Sequence, residues 1–201
     1  LKKRHLRAIL ISASFRASQS YFKFYGTRLR KALSAFEHIF VQNESSKALL
    51  HSINFKNVTV SGDTRYDRVS QQLEQNNTLD FITEFKQNKI CWVIGSSWPE
   101  DDAFLIPYIN KNVSKDIKYI IAPHNIKSNQ IENLIRNLKP KTLLYSEKEN
   151  KDISNYSVLI IDTIGLLSKI YSYADMAYVG GGMGKKGLHN ILEPAVFGVP
   201  I

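Results

Sequence analysis

The run Ile90-Cys91-Trp92-Val93-Ile94 is apolar without a break and ends at Gly95-Ser96-Ser97. A half-exposed strand would alternate, so an unbroken run of this length, bounded by turn residues, reads as a strand covered on both faces. Such strands belong to parallel sheets, whose crossover connections are usually helical. The rest of the chain agrees. Apolar runs recur at 117–122, 142–145, 158–161 and 176–179, with helical periodicity over 128–138 and 166–173. Pro99 opens another helix, and Glu100, Asp101 and Asp102 fill its first turn, where acids meet the positive end of the helix dipole. Earlier, the same alternation predicts strands at 8–15, 38–41 and 58–61 and helices at 20–33 and 44–50, the first with Phe22, Tyr25, Leu29 and Leu33 on one face. Residues 70–80 are polar and weakly patterned. The expected fold class is α/β with two Rossmann-like domains: residues 1–70 end the first, 71–88 form a linker region and 89–201 form the second.

At 201 residues, 43% hydrophobic and 22% charged, the chain is long and apolar enough for real cores, which excludes disorder as its main state. No apolar run reaches the roughly 18 residues of a membrane-spanning helix. One cysteine, Cys91, excludes an internal disulfide or a cysteine-based zinc site and fits a reducing compartment. The formal charge of +9 lies wholly in the first third: residues 1–70 hold 13 Lys and Arg against 4 Asp and Glu, and the remainder holds 14 of each sign. A basic first unit implies an anionic partner, whether nucleic acid, an anionic lipid surface or a phosphorylated substrate, with an idle solvated face as the plain alternative. Lys23, Arg28, Arg30 and Lys31 are the candidate contacts. Tyr21, Phe22, Phe24 and Tyr25 interleave with them in the manner of a single-strand binding surface, but no RNA-binding signature accompanies them, so nucleic acid is not an expected partner. The chain opens at Leu1 and stops at Ile201 just after an apolar segment, and is expected to be a fragment of a longer protein.

Ligands of doubly wound sheets bind outside the carboxyl ends of the strands. Three turns there carry candidate residues. Ser96 and Ser97 could meet a phosphate at a helix start, although Ser97 as a plain N-cap is the blander reading. Pro123, His124 and Asn125 put an imidazole and an amide at a strand tip, where a structural histidine is the alternative. The third turn is the richest: Gly180, Gly181 and Gly182, then a loop with Lys185 and Lys186, then His189, Asn190 and Glu193. Glycines let a backbone approach a ligand closely, and a helix starting at His189 would put His189 and Glu193 on one face, suited to the phosphate and ribose of one nucleotide. Walker and G-x-G-x-x-G patterns are absent, which removes the main support for ATPase and dehydrogenase readings. His189-x-x-x-Glu193 offers two possible metal ligands with no third nearby, a weak case, and no metal and no cofactor are expected.

The segment from Gly180 through Gly187-Leu188-His189-Asn190-Ile191-Leu192-Glu193-Pro194 to Pro200 resembles the signature of the 3-deoxy-D-manno-octulosonic acid (Kdo) transferases of lipopolysaccharide synthesis. Phe40-Val41-Gln42-Asn43-Glu44, Ser61-Gly62-Asp63-Thr64-Arg65-Tyr66-Asp67, Gly95-Ser96-Ser97-Trp98 and Asp162-Thr163-Ile164-Gly165 are similar to the same family, in order and across essentially the whole chain. Where many members carry Pro-Arg-His, this chain has Pro123-His124-Asn125.

The resemblance implies a glycosyltransferase of the two-domain B type. Its carboxy-terminal domain would hold CMP-Kdo through Ser96, Ser97, Pro123, His124, Gly180, Gly181, Gly182, His189, Asn190 and Glu193, with Glu193 on the ribose. Residues 1–70 would end the domain that binds the acceptor, lipid A precursor (lipid IVA), whose phosphates account for the charge asymmetry. The expected partners are thus the donor, the acceptor and the anionic surface of the bacterial inner membrane. The expected location is its cytoplasmic face, peripheral or anchored through an earlier segment. The transfer would invert the anomeric centre, with a general base in an earlier part of the amino-terminal domain. UDP-sugar transferases and sugar-nucleotide epimerases would keep the glycine turn and Glu193 and are the alternative enzyme reading.

Overall fold

The computed structural model of the chain describes residues 6–114, 116–184 and 187–201. They divide into two units between Asp67 and Arg68, each built on a parallel sheet. The fold class is α/β.

The first unit has strands β1 (Ile9–Ala13), β2 (His38–Val41) and β3 (Val58–Val60) in that order, with helices α1 (Thr27–Leu33) and α2 (Glu44–Ser52) as connections. Phe15, Leu33, Ile39, Val41, Leu50 and Val58 form its core. Asn43 starts α2 because its Oδ1 accepts the Ser46 amide at 2.9 Å, and the buried Ser46 hydroxyl in turn accepts the Phe15 amide at 2.9 Å.

The helix expected over 20–33 is broken. Residues Ser20–Phe22 make a single 3-10 turn, and α1 begins only after Gly26. A Cβ at Gly26 would run into the Ser20 carbonyl oxygen and stand 2.9 Å from that of Tyr21, so the chain folds back on itself there. Arg30 closes the turn, donating Nε to the Tyr21 carbonyl at 3.0 Å and a terminal nitrogen to that of Lys23 at 2.7 Å. The expected apolar face therefore does not form: Leu33 is buried, but Tyr25 is 62% and Leu29 42% exposed.

The second unit carries β4 (Ile90–Ser97), β5 (Ile117–Pro123), β6 (Thr142–Leu144), β7 (Val158–Ile160) and β8 (Met176–Val179), in the order β6-β7-β5-β4-β8. Successive residues serve opposite faces. Val93, Ile120 and Leu159 join one core, whereas Ile94, Ile121 and Ile160 join the other, which is why these strands read as unbroken apolar runs. Helices α5 (Pro99–Lys111), α6 (Ser128–Asn137) and α7 (Leu167–Ile170) make connections, and α8 (Leu192–Ala195) follows β8. The stretch 71–88, expected as a linker, is largely helical. It takes in the end of α3 (Thr64–Glu74) and all of α4 (Asp80–Lys86), whose Ile82 and Phe85 are fully buried in the second unit's core.

Gly95 lies against Tyr171: a Cβ there would collide with the Tyr171 hydroxyl and come within 2.8 Å of Cζ. Lys118, 3% exposed, donates its ammonium to the Ser154 carbonyl at 2.7 Å and the Tyr156 carbonyl at 2.5 Å, and burial pushes its pKa down to about 8. Among the described residues no helix is long and apolar enough to cross a membrane.

Candidate functional site

Strand β4 is first in sequence within its sheet, β5 lies on one side of it and β8 on the other, so the chain reverses direction across the sheet at β4. Crevices at the carboxyl ends of strands beside such a reversal bind ligands in α/β proteins. Here β4 ends in a bulge. Its register to β5 slips between Gly95 and Ser97, and Ser96 sits at φ +54°, a left-handed conformation that L residues rarely adopt. The bulge turns Ser96 toward a cavity of about 420 Å3, which Pro123, His124, Asn125, Lys127 and Thr163 also line. Three of the expected donor residues, Ser96, Pro123 and His124, thus share one cavity.

Beside it stands an aromatic trio. Trp98 and His189 lie nearly parallel at 8°, joined by a 2.8 Å hydrogen bond from indole Nε1 to imidazole Nε2. That bond requires a lone pair on Nε2, which puts the ring proton of His189 on Nδ1. His124 stacks on both, with centroids 4.3 Å from Trp98 and 4.5 Å from His189. Burial, and then the neighbouring His189, hold the His124 imidazole below its ordinary pKa.

The glycine turn is occupied differently from expectation. The Gly180 amide donates to the Gly95 carbonyl at 2.9 Å and the Gly181 amide to the Asp101 carboxylate at 2.9 Å, so neither is directed at a ligand. Their lack of side chains is a matter of packing. A Cβ on Gly180 would meet the backbone of Ser96 and Ser97, and one on Gly181, at φ +97°, would meet the Gly187 carbonyl. Gly182 is open, with nothing nearer than 3.7 Å to a Cβ. Ser97 is buried rather than facing the cavity, and Trp98 takes the N-cap position of α5.

The helix expected from His189 starts only at Leu192, so His189 and Asn190 precede it and share no helical face with Glu193. Asn190 instead accepts the Leu192 amide at 3.2 Å and donates to Glu193 at 3.3 Å. Glu193 lines a separate small cavity of about 60 Å3 with Arg68, Gln72 and Ser168. The loop lysines 185 and 186 lie outside the described residues. In the first unit Lys23, Arg28 and Lys31 are exposed, whereas the Arg30 guanidinium is committed to its two carbonyls.

In sequence Asp101 stands out only as one of three acids at the positive end of a helix dipole. It is fully buried, and its carboxylate accepts the Trp98 amide at 2.8 Å, the Gly181 amide and the Tyr178 hydroxyl at 2.8 Å. Burial pushes its pKa up, but the Gly181, Trp98 and Met183 amides and the Tyr178 hydroxyl outweigh that and hold it below the usual carboxylate range. The sequence signal was present as an acid at the third helical position, the capping-box site. Next to it, burial raises Asp102 to about 6. Among the described residues no three His, Cys, Asp or Glu are grouped to hold a metal ion.

A strand-edge cavity at a reversal point in a parallel α/β unit is the setting of a nucleotide-type ligand site. Comparison with known proteins narrows this. Residues 1–68 match the family model described as 3-deoxy-D-manno-octulosonic-acid transferase (kdotransferase). The chain is 28% identical over 179 residues to a 3-deoxy-D-manno-octulosonic acid transferase of Chlamydophila psittaci, covering 86% of this chain and 40% of that one. It is 26% identical over 201 residues to the enzyme of the same name from Rickettsia typhi, covering 96% of this chain and 42% of that one. The chain thus spans about two fifths of the length of these relatives. Among solved structures it is similar to the C-terminal CMP-Kdo binding domain of WaaA from Acinetobacter baumannii, with TM-score 0.49, 24% identity and 67% of each chain covered. In sequence the chain is thus similar to Kdo transferases, the family that its motifs resemble.

Proposed function

We propose that the chain is part of an inverting glycosyltransferase of the B type that moves Kdo from CMP-Kdo to lipid A precursor, the second unit taking the donor. The observation that carries this is the cavity of about 420 Å3 at the ends of β4 and β5, lined by Ser96, Pro123 and His124, in a chain whose relatives are named Kdo transferases. In the transfer the acceptor hydroxyl oxygen bonds to the anomeric carbon as the bond from that carbon to the CMP phosphate oxygen breaks. Charge gathers on the departing phosphate. The groups available to it along the cavity are the Ser96 hydroxyl, the Asn125 amide and the Lys127 ammonium. The hydroxyl's proton passes to a general base that the family resemblance assigns to the amino-terminal domain ahead of β1.

The first unit, on this proposal, faces the acceptor and the cytoplasmic surface of the inner membrane. Lys23, Arg28 and Lys31 are exposed there, beside Phe24 at 94% and Tyr25 at 62% exposure. Calorimetry on the full-length protein with CMP, UMP and UDP tests the donor assignment. Binding of CMP in preference to both uridine nucleotides is expected. Preference for UDP would overturn it in favour of a UDP-sugar enzyme.

A further inference from the structure

An acid that merely closes a capping box needs one partner, the amide of the N-cap residue, and ordinarily stays in water. Asp101 goes further. It is 0% exposed, and beyond the Trp98 amide it holds two groups some 80 residues away in sequence, the Gly181 amide and the Tyr178 hydroxyl. Bonds of 2.8–2.9 Å to an ionised carboxylate are among the stronger and more directional ones in proteins. Through them one carboxylate ties the end of β8 to the start of α5. Trp98, fixed at its backbone by this carboxylate, reaches His189 with its indole N–H and stacks on His124 with its face. His189 is set a second time, because its own amide donates to the Gly180 carbonyl at 3.1 Å, next to the residue that Asp101 grips.

We infer that Asp101 is a positioning residue: its carboxylate sets the Trp98 indole and the glycine turn, and through them the orientation of His124 and His189 at the cavity, a role in donor binding that presupposes the donor assignment made above. Asparagine would preserve most of this. Its carbonyl oxygen can accept both amides, and its NH2 can donate to a Tyr178 hydroxyl turned about its bond. Alanine would remove the one acceptor that the Trp98 amide, the Gly181 amide and the Tyr178 hydroxyl share, and so untie the end of β8 from the start of α5.

The test uses the full-length protein with Trp92 and every tryptophan outside these 201 residues replaced by phenylalanine, which leaves Trp98 as the sole emitting indole and removes, at Trp92, an indole N–H without a hydrogen-bond partner. Without ligand, Trp98 emission should change in a step as the stacked His124 imidazole takes up its proton, at a pH below the ordinary imidazole pKa. Asp101→Ala should abolish or displace that step and weaken CMP binding about tenfold or more, while the thermal transition remains cooperative. Asp101→Asn should keep the step and bind CMP within about threefold of the parent. A folded Asp101→Ala protein with the parent's emission profile and CMP affinity would overturn the inference. If Asp101→Ala does not fold, Trp98→Phe decides: it keeps the carboxylate and the aromatic stack but loses the bond to His189, so a CMP affinity equal to the parent's would refute the inference and a fall of about fivefold or more would support it. A parent that fails to bind CMP, yet shows an emission step dependent on Asp101, would refute the donor assignment and the ligand part of the inference together, while supporting the anchoring of the rings.

Discussion

The glycine turn after β8 looks, in sequence, like a cradle for a phosphate, and the structure gives Gly180 a different task that Gly180→Ala will expose. The added methyl would collide with the Ser96 carbonyl oxygen and lie 2.7 Å from Ser97 Cα and 2.8 Å from the Ser96 carbonyl carbon. All three are backbone atoms of the β4 bulge and cannot swing aside as the tip of a flexible side chain would. Relief has to come from separating β4 and β8, beside the 2.9 Å bond between the Gly180 amide and the Gly95 carbonyl. Overpacking of this kind costs about 1–3 kcal/mol. For a protein of this size each kcal/mol moves Tm by roughly 2–4 °C, so a fall of about 4–8 °C is expected for a 2 kcal/mol loss. Gly182→Ala is the internal control. Nothing lies nearer than 3.7 Å to its new methyl, and its Tm should stay within about 1 °C of the parent, as for ordinary surface changes. Differential scanning calorimetry with CMP titrations on both variants supplies the comparison. A Gly180→Ala protein that melts like the parent but no longer binds CMP would refute the packing account and restore the phosphate cradle.

In the full-length enzyme, Glu193→Ala should lower Tm and leave CMP affinity within about threefold of the parent's, because Glu193 lines a small cavity apart from the one that holds Ser96, Pro123 and His124 and accepts from Asn190, whereas lost CMP binding at the parent's Tm would return it to the donor's ribose. Replacing Lys23, Arg28 and Lys31 with glutamine should reduce association with anionic liposomes by roughly 1 kcal/mol per charge without altering CMP affinity, whereas equal sedimentation of mutant and parent would return these residues to a solvated face. Arg30→Gln should differ from those three by lowering Tm, because it releases the Tyr21 and Lys23 carbonyls. Lys118 is depressed from 10.5 to about 8, so between those pH values the unfolded chain holds the proton that the folded one has lost. Its contribution to stability should therefore rise with pH across that window, and Lys118→Met should flatten the rise in denaturant midpoints between pH 8 and 10.5.

The strands of the second unit were legible because burial on both faces leaves short unbroken apolar runs, which their length and the turn residues that bound them mark as strands. Ile90 to Ile94 and the run at 117–122 announce themselves for that reason. Helix limits were less legible where tertiary bonds intervene. The periodicity of residues 20–33 is real, but the close approach at Gly26 and the guanidinium of Arg30 turn it into two pieces. Helix α3 was missed because only Val69 among its residues is buried, leaving little apolar pattern to read. At the site, Ser96, Pro123 and His124 could be placed from strand ends alone. The roles of Gly180, Gly181 and Asp101 could not, because which acceptor an amide finds depends on a partner about 80 residues distant.

The contact between Gly95 and Tyr171 binds two positions into one unit of inheritance. The end of the tyrosine ring occupies the volume that any side chain at 95 would need, so position 95 cannot vary while Tyr171 stays as it is. A lineage that acquires alanine at 95 has first to lose bulk at 171, through an intermediate with a void in the second core. Drift at this pair should thus be slow and ordered, the smaller residue at 171 preceding any side chain at 95.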